Sequence, residues 1–239
     1  REDAVLFVYC RYENSKKRSK MKIRAIIFGS IGTLVETSDM QRQSFNQAFK
    51  EANLNWHWDS KLYQKLLSQS GGRNRIKSYA SNQGISVDAK YLHQRKTEIY
   101  NKCLKEQNVQ PRPGVENLIQ YARSKKMLLG FATTTSEANI KAIFFALGNR
   151  IQRNHFDFIG SDTVVKKTKP SPDIYKKTLS SLKVNSHECL AIEDTEISMQ
   201  SALAAGIRCV AFPGANTLGD DFSGAEAITE VLTPANINI

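Results

Sequence analysis

Four short polar segments each follow an apolar run of strand length, and they hold the residues best able to do chemistry in this sequence. Glu193 and Asp194 are adjacent carboxylates directly after an apolar run. Lys169 is a cation, and Thr133 and Thr134 are hydroxyls ahead of a predicted helix, so these three can bind phosphate. The segments are Gly29–Leu34, Thr133–Ser136, Lys169–Tyr175 and Glu193–Thr195. Each alone is an ordinary turn or helix start, and only their shared position after strands makes them candidates for one site.

The elements that must position these segments alternate between strand and helix patterns. Strands are predicted near residues 23–28, 127–133, 156–160, 189–192 and 208–212. A helix is predicted from Ser136 to Leu147, ending at Gly148 as a C-terminal cap. This alternation is typical of an α/β protein with a parallel sheet covered on both faces. In such sheets ligands bind at the carboxyl ends of the strands, where all four polar segments fall.

Between the first and second strands the pattern is helical throughout. Residues 38–110 show apolar stripes at helical spacing and no convincing strand. We therefore predict an α/β core made of residues 21–37 and 111–239, interrupted by an all-helical insert at 38–110. Residues 1–20 do not match this pattern and are interpreted as an extension outside the core. A transit segment that directs the protein to a plastid is the alternative, although Glu2, Asp3 and Glu13 argue against it.

Composition narrows the class of protein. The net charge is +11, and the first 20 residues hold six basic and three acidic residues, which leaves +8 for the remainder. The basic residues are spread along the chain, so we do not expect nucleic-acid binding. No apolar run is long enough to span a membrane. The four cysteines lack disulfide or metal spacing, which favours a reducing, cytoplasmic location.

The order of the motifs resembles the haloacid dehalogenase (HAD) superfamily from about Lys22 onward. Residues 25–37 are similar to its first motif, Asp-x-Asp-Gly-Thr-Leu-Val-Asp-Thr, and residues 131–133 to its second. The resemblance implies a Rossmann-like core with strand order 5-4-1-2-3 and a helical cap domain. It also implies that Thr133 and Lys169 bind phosphate, and that Glu193 and Asp194 hold Mg²⁺.

The helical insert resembles the cap of one subgroup, the CbbY-like sugar-phosphate phosphatases and β-phosphoglucomutases. The resemblance implies that Arg42 and Arg75 contact the ligand, with Arg75 meeting a second, distal phosphate. Ser38 and Gln41 replace a glutamate and a histidine that the subgroup commonly uses near its substrate. The expected ligand is thus a phosphorylated small molecule.

The first motif departs from the family at its centre. In the family its first aspartate attacks phosphorus and ligates Mg²⁺, and the aspartate two residues later transfers the proton. Gly29 and Ile31 stand at these positions and supply neither group. Because side chains alternate along a strand, we expect Ser30 to face away from the site and to lack an adjacent base. Glu36 lies too far along the chain to substitute.

Three hypotheses follow for the function. The first is a HAD-fold protein of very weak or absent catalysis that still binds a phosphorylated ligand, with Mg²⁺ bound weakly or not at all. The second is an active Mg²⁺-dependent phosphatase or mutase with an unorthodox nucleophile. The third is a non-enzymatic interaction protein that keeps only the fold. The sequence leaves the ligand, protein partners and oligomeric state open.

Overall fold

The fold is built around one parallel sheet, seen in a computed structural model that describes residues 22–67 and 71–239. The six strands are β1 Ala25–Phe28, β2 Leu128–Phe131, β3 Phe158–Ile159, β4 Cys189–Glu193, β5 Arg208–Ala211 and β6 Ala227–Ile228. Their order is β3-β2-β1-β4-β5-β6, with every pair parallel. The predicted order with the first strand in the middle is confirmed. The predicted extension at residues 1–20 lies outside the described residues.

The sheet differs from the prediction at its edge and at the strand ends. The sixth strand, β6, was not predicted, because two residues are too few to show alternation. The second strand ends at Phe131, although the apolar run predicted that it would continue to residue 133. Thr133 therefore belongs to the loop after the strand, where its hydroxyl is available to a site.

The central strand β1 is buried on both faces because helices cover both sides of the sheet. Ile26 and Phe28 pack into one apolar cluster, and Ala25 and Ile27 pack into the other. All four residues are fully buried. A parallel strand with no solvent face is a continuous apolar run, as this one is. The carboxyl end of β1 is thereby fixed at the middle of the sheet.

Nine α-helices complete the described part of the chain. They are α1 Ile31–Leu34, α2 Ser38–Glu51, α3 Ser60–Leu67, α4 Gly72–Asn82, α5 Ala89–Glu106, α6 Val115–Ser124, α7 Glu137–Leu147, α8 Asp173–Leu182 and α9 Glu196–Ala204. Helix α7 ends at Gly148, which has a φ of 55°, so the predicted C-terminal cap is confirmed. Within the described ranges no helix combines the length and apolar character needed to cross a membrane.

Helices α2 to α5 form the predicted helical insert and have a hydrophobic core of their own. Aromatic rings dominate that core, with Phe45, Phe49 and Trp58 in mutual contact. Helix α5 also reaches the main core, where Tyr100 and Leu104 pack with the sheet cluster. The insert therefore shares one helix with the core that it covers.

The chain passes between insert and core at two points that lie side by side. Val35 pairs with Pro111, and the Arg112 amide donates to Leu34 O at 2.9 Å. The Arg112 guanidinium donates to the carbonyls of Gly32, Phe212 and Pro213 at 2.8, 2.7 and 2.5 Å. These bonds tie the loop after β1 to the end of β5. We propose that they mark the boundaries of a cap domain at residues 38–110.

Candidate phosphate site at the carboxyl edge of the sheet

The loops after β1, β2 and β4 meet at one edge of the sheet. Phe28 at the end of β1 is in register with Phe131 of β2 and Ile192 of β4. The Gly29 amide donates to Ile192 O at 3.0 Å, and the Ala132 amide donates to Phe28 O at 2.7 Å. Three of the four predicted polar segments are thus neighbours because their strands are neighbours.

The fourth segment reaches the same place through the side chain of Lys169. Lys169 is only 5% exposed, and its Nζ donates to Gly29 O at 2.6 Å. The same Nζ lies 2.5 Å from Glu193 Oε1 in an ion pair that is completely buried on the glutamate side. The structure therefore brings Lys169, Gly29 and Glu193 together.

Glu193 fills the space that a side chain at position 29 would need. A Cβ placed on Gly29 would overlap Glu193 Oε1 and would also meet the hydroxyl of Tyr175. The Tyr175 hydroxyl donates to that same Oε1 at 2.5 Å. A glycine at this position is what lets the glutamate side chain lie against the end of β1. Tyr175 was not predicted as a site residue, and its place in the polar segment Lys169–Tyr175 was the only signal.

Burial controls the electrostatics of this cluster. Burial raises the pKa of Glu193, although the adjacent Lys169 ammonium acts in the opposite direction. Burial, followed by the charge of Glu193, raises the pKa of Tyr175 well above its usual value, so its hydroxyl stays protonated and donates. The second carboxylate oxygen, Glu193 Oε2, is buried and has no hydrogen-bond partner among the described residues.

Thr133 and Thr134 lie in the loop after β2 and differ in burial. Thr133 is 4% exposed, and its Oγ1 accepts a hydrogen bond from the Thr135 amide at 3.1 Å. Thr134 is half-buried in the same loop. Ser136 then caps α7, its Oγ accepting from the Asn139 amide at 3.3 Å. The loop thus places Thr133 one residue past Ala132, beside the end of β1.

The position of Ser30 corrects the expectation that its hydroxyl faces away from the site and lacks a base. Its Oγ donates to Asp194 Oδ1 at 2.7 Å, so the hydroxyl does have a carboxylate beside it. The expectation that it faces away applied strand alternation beyond Phe28, where β1 ends. Ser30 is half-buried and immediately precedes α1. Burial raises the pKa of Asp194, and its hydrogen bond from Ser30 acts in the opposite direction.

Ile31 is packed into the core and does not present a polar group to the site. It is 7% exposed and belongs to the cluster that includes Phe28 and Leu34. The proton-transfer position of the first motif is therefore apolar in structure as well as in sequence.

Glu193 and Asp194 are the adjacent carboxylates at this edge that could hold Mg²⁺. Mg²⁺ is usually bound by one or two carboxylates together with water and substrate oxygens. Glu193 Oε1 is engaged by Lys169 and Tyr175, Asp194 Oδ1 is engaged by Ser30, and position 29 has no side chain. Residues 22–67 and 71–239 contain no group of three His, Cys, Asp or Glu side chains that could hold a metal. Weak or absent Mg²⁺ binding remains a prediction.

The two predicted cap arginines have structural partners inside the cap. Arg42 donates to Asp39 Oδ1 and, at 3.0 Å, to Trp58 O. Arg75 is 7% exposed, its Nε donates to Leu66 O at 2.8 Å, and its guanidinium lies 5.5 Å from the Tyr63 ring. The structure places both in the cap and leaves their contact with a ligand a prediction.

A second buried cation in the cap, Lys96, was missed. It is 3% exposed, its Nζ donates to Gln41 Oε1 at 3.0 Å, and it lies over the rings of Phe45 and Tyr100 at 4.9 and 4.7 Å. Burial, with the nearby charge of Arg75, lowers the pKa of Lys96 to about 7. The signal was a lysine on the buried stripe of a helix, four residues before Tyr100.

Known proteins with a similar sequence and a similar fold have been found by comparison. Residues 26–212 match the family described as haloacid dehalogenase-like hydrolase. Protein CbbY of Rhodobacter capsulatus is 38% identical over 209 residues, which cover 86% of this chain and 92% of that protein. The crystal structure of CbbY from Rhodobacter sphaeroides in complex with phosphate superposes with a TM-score of 0.84 and 33% identity, covering 91% of this chain and all of that one. A mutant of the same protein in complex with xylulose-(1,5)bisphosphate has a TM-score of 0.82 and 34% identity, covering 87% and 94%.

The first prediction concerns the space beside Gly29. We expect Gly29→Ala to lower the free energy of unfolding by about 1–3 kcal/mol, because the new methyl group must displace the buried Glu193 carboxylate. In a Glu193→Ala background the same change should cost less, since the carboxylate is then gone and the Tyr175 hydroxyl is the remaining group that the new methyl group meets. Chemical denaturation of the four proteins measures this coupling. Additive effects of the two changes would show that Glu193 does not fill this space.

The second prediction concerns the buried lysine of the cap. The folded pKa of Lys96 lies below its unfolded value of 10.5, so burial of the charged form destabilises the folded state, and this loss of stability is complete below pH 7. The loss of stability disappears as the pH rises from 7 to 10.5. Lys96→Met should therefore raise the melting temperature most at pH 6 and progressively less toward pH 10. Lys105→Met, at an exposed position of the same helix, is the control and should show no such trend. A pH-independent effect of Lys96→Met would contradict the assignment.

Proposed function

The chain belongs to the haloacid dehalogenase-like hydrolase family and is related to the CbbY phosphatases, and we propose that it binds a phosphorylated small molecule but hydrolyses phosphate esters very weakly. The observation that carries this proposal is the carboxylate of Glu193. It occupies the space beside Gly29, at the position where the family's first motif has its nucleophilic aspartate.

Two missing groups support the loss of hydrolysis. Gly29 has no nucleophile, and the buried Ile31 cannot protonate a leaving alkoxide. An enzyme without its nucleophile keeps a residual acceleration on the order of 10³- to 10⁴-fold over water, supplied by binding and electrostatics. Phosphate monoesters are among the slowest compounds to hydrolyse unaided. Such a residual gives no useful turnover.

Lys169 supports continued recognition of phosphate. An ammonium group has three N–H donors, and the described residues engage two of them through Gly29 O and Glu193 Oε1. The third donor and the Thr133 hydroxyl lie at the same strand ends. Neither depends on a side chain at position 29. A phosphate oxygen at this edge would form charge-assisted hydrogen bonds, which are stronger than neutral ones.

Two buried cations in the cap support the proposal that the ligand has a second anionic group. Lys96 and Arg75 are both buried and lie on the Phe45 ring, at 4.9 and 6.0 Å from its centre. Lys96 has no carboxylate within 4.0 Å among the described residues, and Gln41 is a neutral acceptor. A buried cation without a counter-ion is unfavourable, and an anionic ligand would relieve that cost. We therefore assign sugar phosphates with two phosphate groups as the ligand class.

The cysteines support a reducing compartment. Cys189 and Cys209 are buried, free thiols, and burial raises the pKa of Cys189 to about 12. Cys103 is free as well. Thiols kept apart in this way suit the cytoplasm, and they suit a plastid interior equally.

The third prediction tests the loss of hydrolysis by reversal. Gly29→Asp combined with Ile31→Asp should restore Mg²⁺-dependent phosphatase activity on sugar phosphates. Each single change should do little, because nucleophile and acid act as a unit. Ile31→Asp puts a charge into an apolar cluster, so unfolding must be measured in parallel. Clear Mg²⁺-dependent turnover by the unmodified protein would contradict the proposal. A folded but inert double mutant would show that the cap and the remaining loops, including Glu193 beside position 29, have diverged too.

The fourth prediction tests binding. Millimolar inorganic phosphate and a sugar bisphosphate should both raise the melting temperature, because a ligand that binds only the folded state stabilises it. Lys96→Met should reduce the shift caused by the bisphosphate and leave the shift caused by inorganic phosphate. Thr133→Val should reduce both shifts. An unmodified protein whose melting temperature responds to neither ligand would contradict the binding proposal and favour a non-enzymatic interaction protein.

A further inference from the structure

The side-chain amide of Asn139 supports the loop that carries Thr133. Asn139 lies in the first turn of α7 and is only 8% exposed. Its Nδ2 donates to Thr135 Oγ1 at 2.9 Å. The Thr135 backbone amide donates in turn to Thr133 Oγ1 at 3.1 Å. Two consecutive hydrogen bonds therefore connect the Asn139 side chain to the hydroxyl at the candidate phosphate site.

The direction of these bonds leaves the proton of the Thr133 hydroxyl available. A threonine hydroxyl has one O–H donor and two acceptor lone pairs. Thr133 Oγ1 uses a lone pair to accept from the Thr135 amide, and within residues 22–67 and 71–239 its own proton has no acceptor. Thr133 is also 4% exposed, so water has little access to it. A buried hydroxyl with an unused proton is suited to donate to an anion.

Thr135 is held from two sides. Its carbonyl accepts from the Asp162 amide at 3.0 Å, which ties the loop after β2 to the loop after β3. Its side chain is held by Asn139 alone among the residues that the structure describes. Loss of the Asn139 bond would therefore release the Thr135 side chain and let the Thr135 amide shift relative to Thr133.

The other half of the Asn139 amide is unsatisfied. Asn139 Oδ1 is buried and has no hydrogen-bond partner in the described part of the chain. A buried acceptor without a partner lowers stability, and an apolar side chain of similar size would avoid that loss. Such a group in a folded protein needs an explanation other than stability. The donor Nδ2, which holds Thr135, supplies one.

We propose that Asn139 is a positioning residue for phosphate binding and that it acts on Thr133 through Thr135. It fixes the Thr135 amide, and that amide directs the Thr133 hydroxyl proton toward a phosphate oxygen. Asn139 itself does not touch the phosphate. The proposal rests on the phosphate site of the proposed function and extends it to a residue outside the four polar segments.

Titration of the full chain with inorganic phosphate tests the role of Asn139. Asn139→Leu removes the donor and keeps the approximate size of the side chain. We expect the Kd for phosphate to rise about 10-fold, because the Thr133 hydrogen bond is impaired. The melting temperature without phosphate should not fall, because the unsatisfied Oδ1 is removed as well. A purely structural asparagine would give the reverse, a lower melting temperature and an unchanged Kd. Asn139→Ala replaces the leucine variant if leucine does not fit.

A double-mutant cycle with Thr135→Val tests the route from Asn139 to Thr133. Thr135→Val should raise the Kd by a similar factor, and the double mutant should bind no more weakly than either single mutant, since both changes break one chain of bonds. Thr135→Ser keeps the hydroxyl and should bind phosphate like the unmodified protein. Thr178→Val is the matched control, because it removes a buried threonine hydroxyl that donates to Ile174 O within α8, and it should leave the Kd unchanged.

Two results would overturn this proposal alone. An unchanged Kd in the folded Asn139 variants would exclude Asn139 from phosphate binding. Multiplied effects of Asn139→Leu and Thr135→Val would show that the two residues act independently. Absence of phosphate binding by the unmodified protein would overturn the proposed function and this proposal together, so the two failures are distinguishable.

Discussion

At the carboxyl edge of this sheet the buried Lys169 is paired with the buried Glu193. Their 2.5 Å ion pair lies at the end of the central strand, and the Tyr175 hydroxyl completes it. The carboxylate reaches this place only because Gly29 has no side chain. Removing one partner of such a pair would leave a charge buried without compensation. The rest of the site is arranged around this contact.

We propose that the same contact separates binding from chemistry. Lys169 Nζ donates to Gly29 O and pairs with Glu193 at this edge, and in our proposal this pairing keeps Glu193 from holding a metal. Asp194 remains beside Ser30 and is connected through Thr217 to the loop after β5. The cap contributes Lys96 and Arg75, whose charges are buried in aromatic surroundings. Buried cations therefore lie both at the sheet edge and in the cap, whereas Gly29 and Ile31 stand where the family's first motif has its two aspartates.

The strands and the helical insert could be predicted from the sequence, because buried parallel strands are apolar throughout and the helical insert has a different period. The strand order was predicted from the resemblance to the HAD superfamily. β6 was missed because two residues show no pattern. The site could be predicted as a set of segments, since strand ends collect at one edge. The contacts within the site could not be predicted from the sequence. Alternation along β1 placed Ser30 on the wrong side because the strand ends at Phe28, and no sequence pattern shows that Glu193 occupies the space beside Gly29. The role of Lys96 depends on tertiary packing against Phe45 and Tyr100.

The most direct test of the central claim is a crystal structure of the unmodified protein grown with Mg²⁺ and a sugar bisphosphate. The account predicts that the Glu193 carboxylate stays against Gly29 and Lys169, with the ligand intact and its phosphate at Lys169 and Thr133. It also predicts no octahedral metal at Glu193 and Asp194. A structure in which Glu193 has swung away to ligate Mg²⁺ beside the bound phosphate would contradict it, because the space beside Gly29 would then belong to a working metal site.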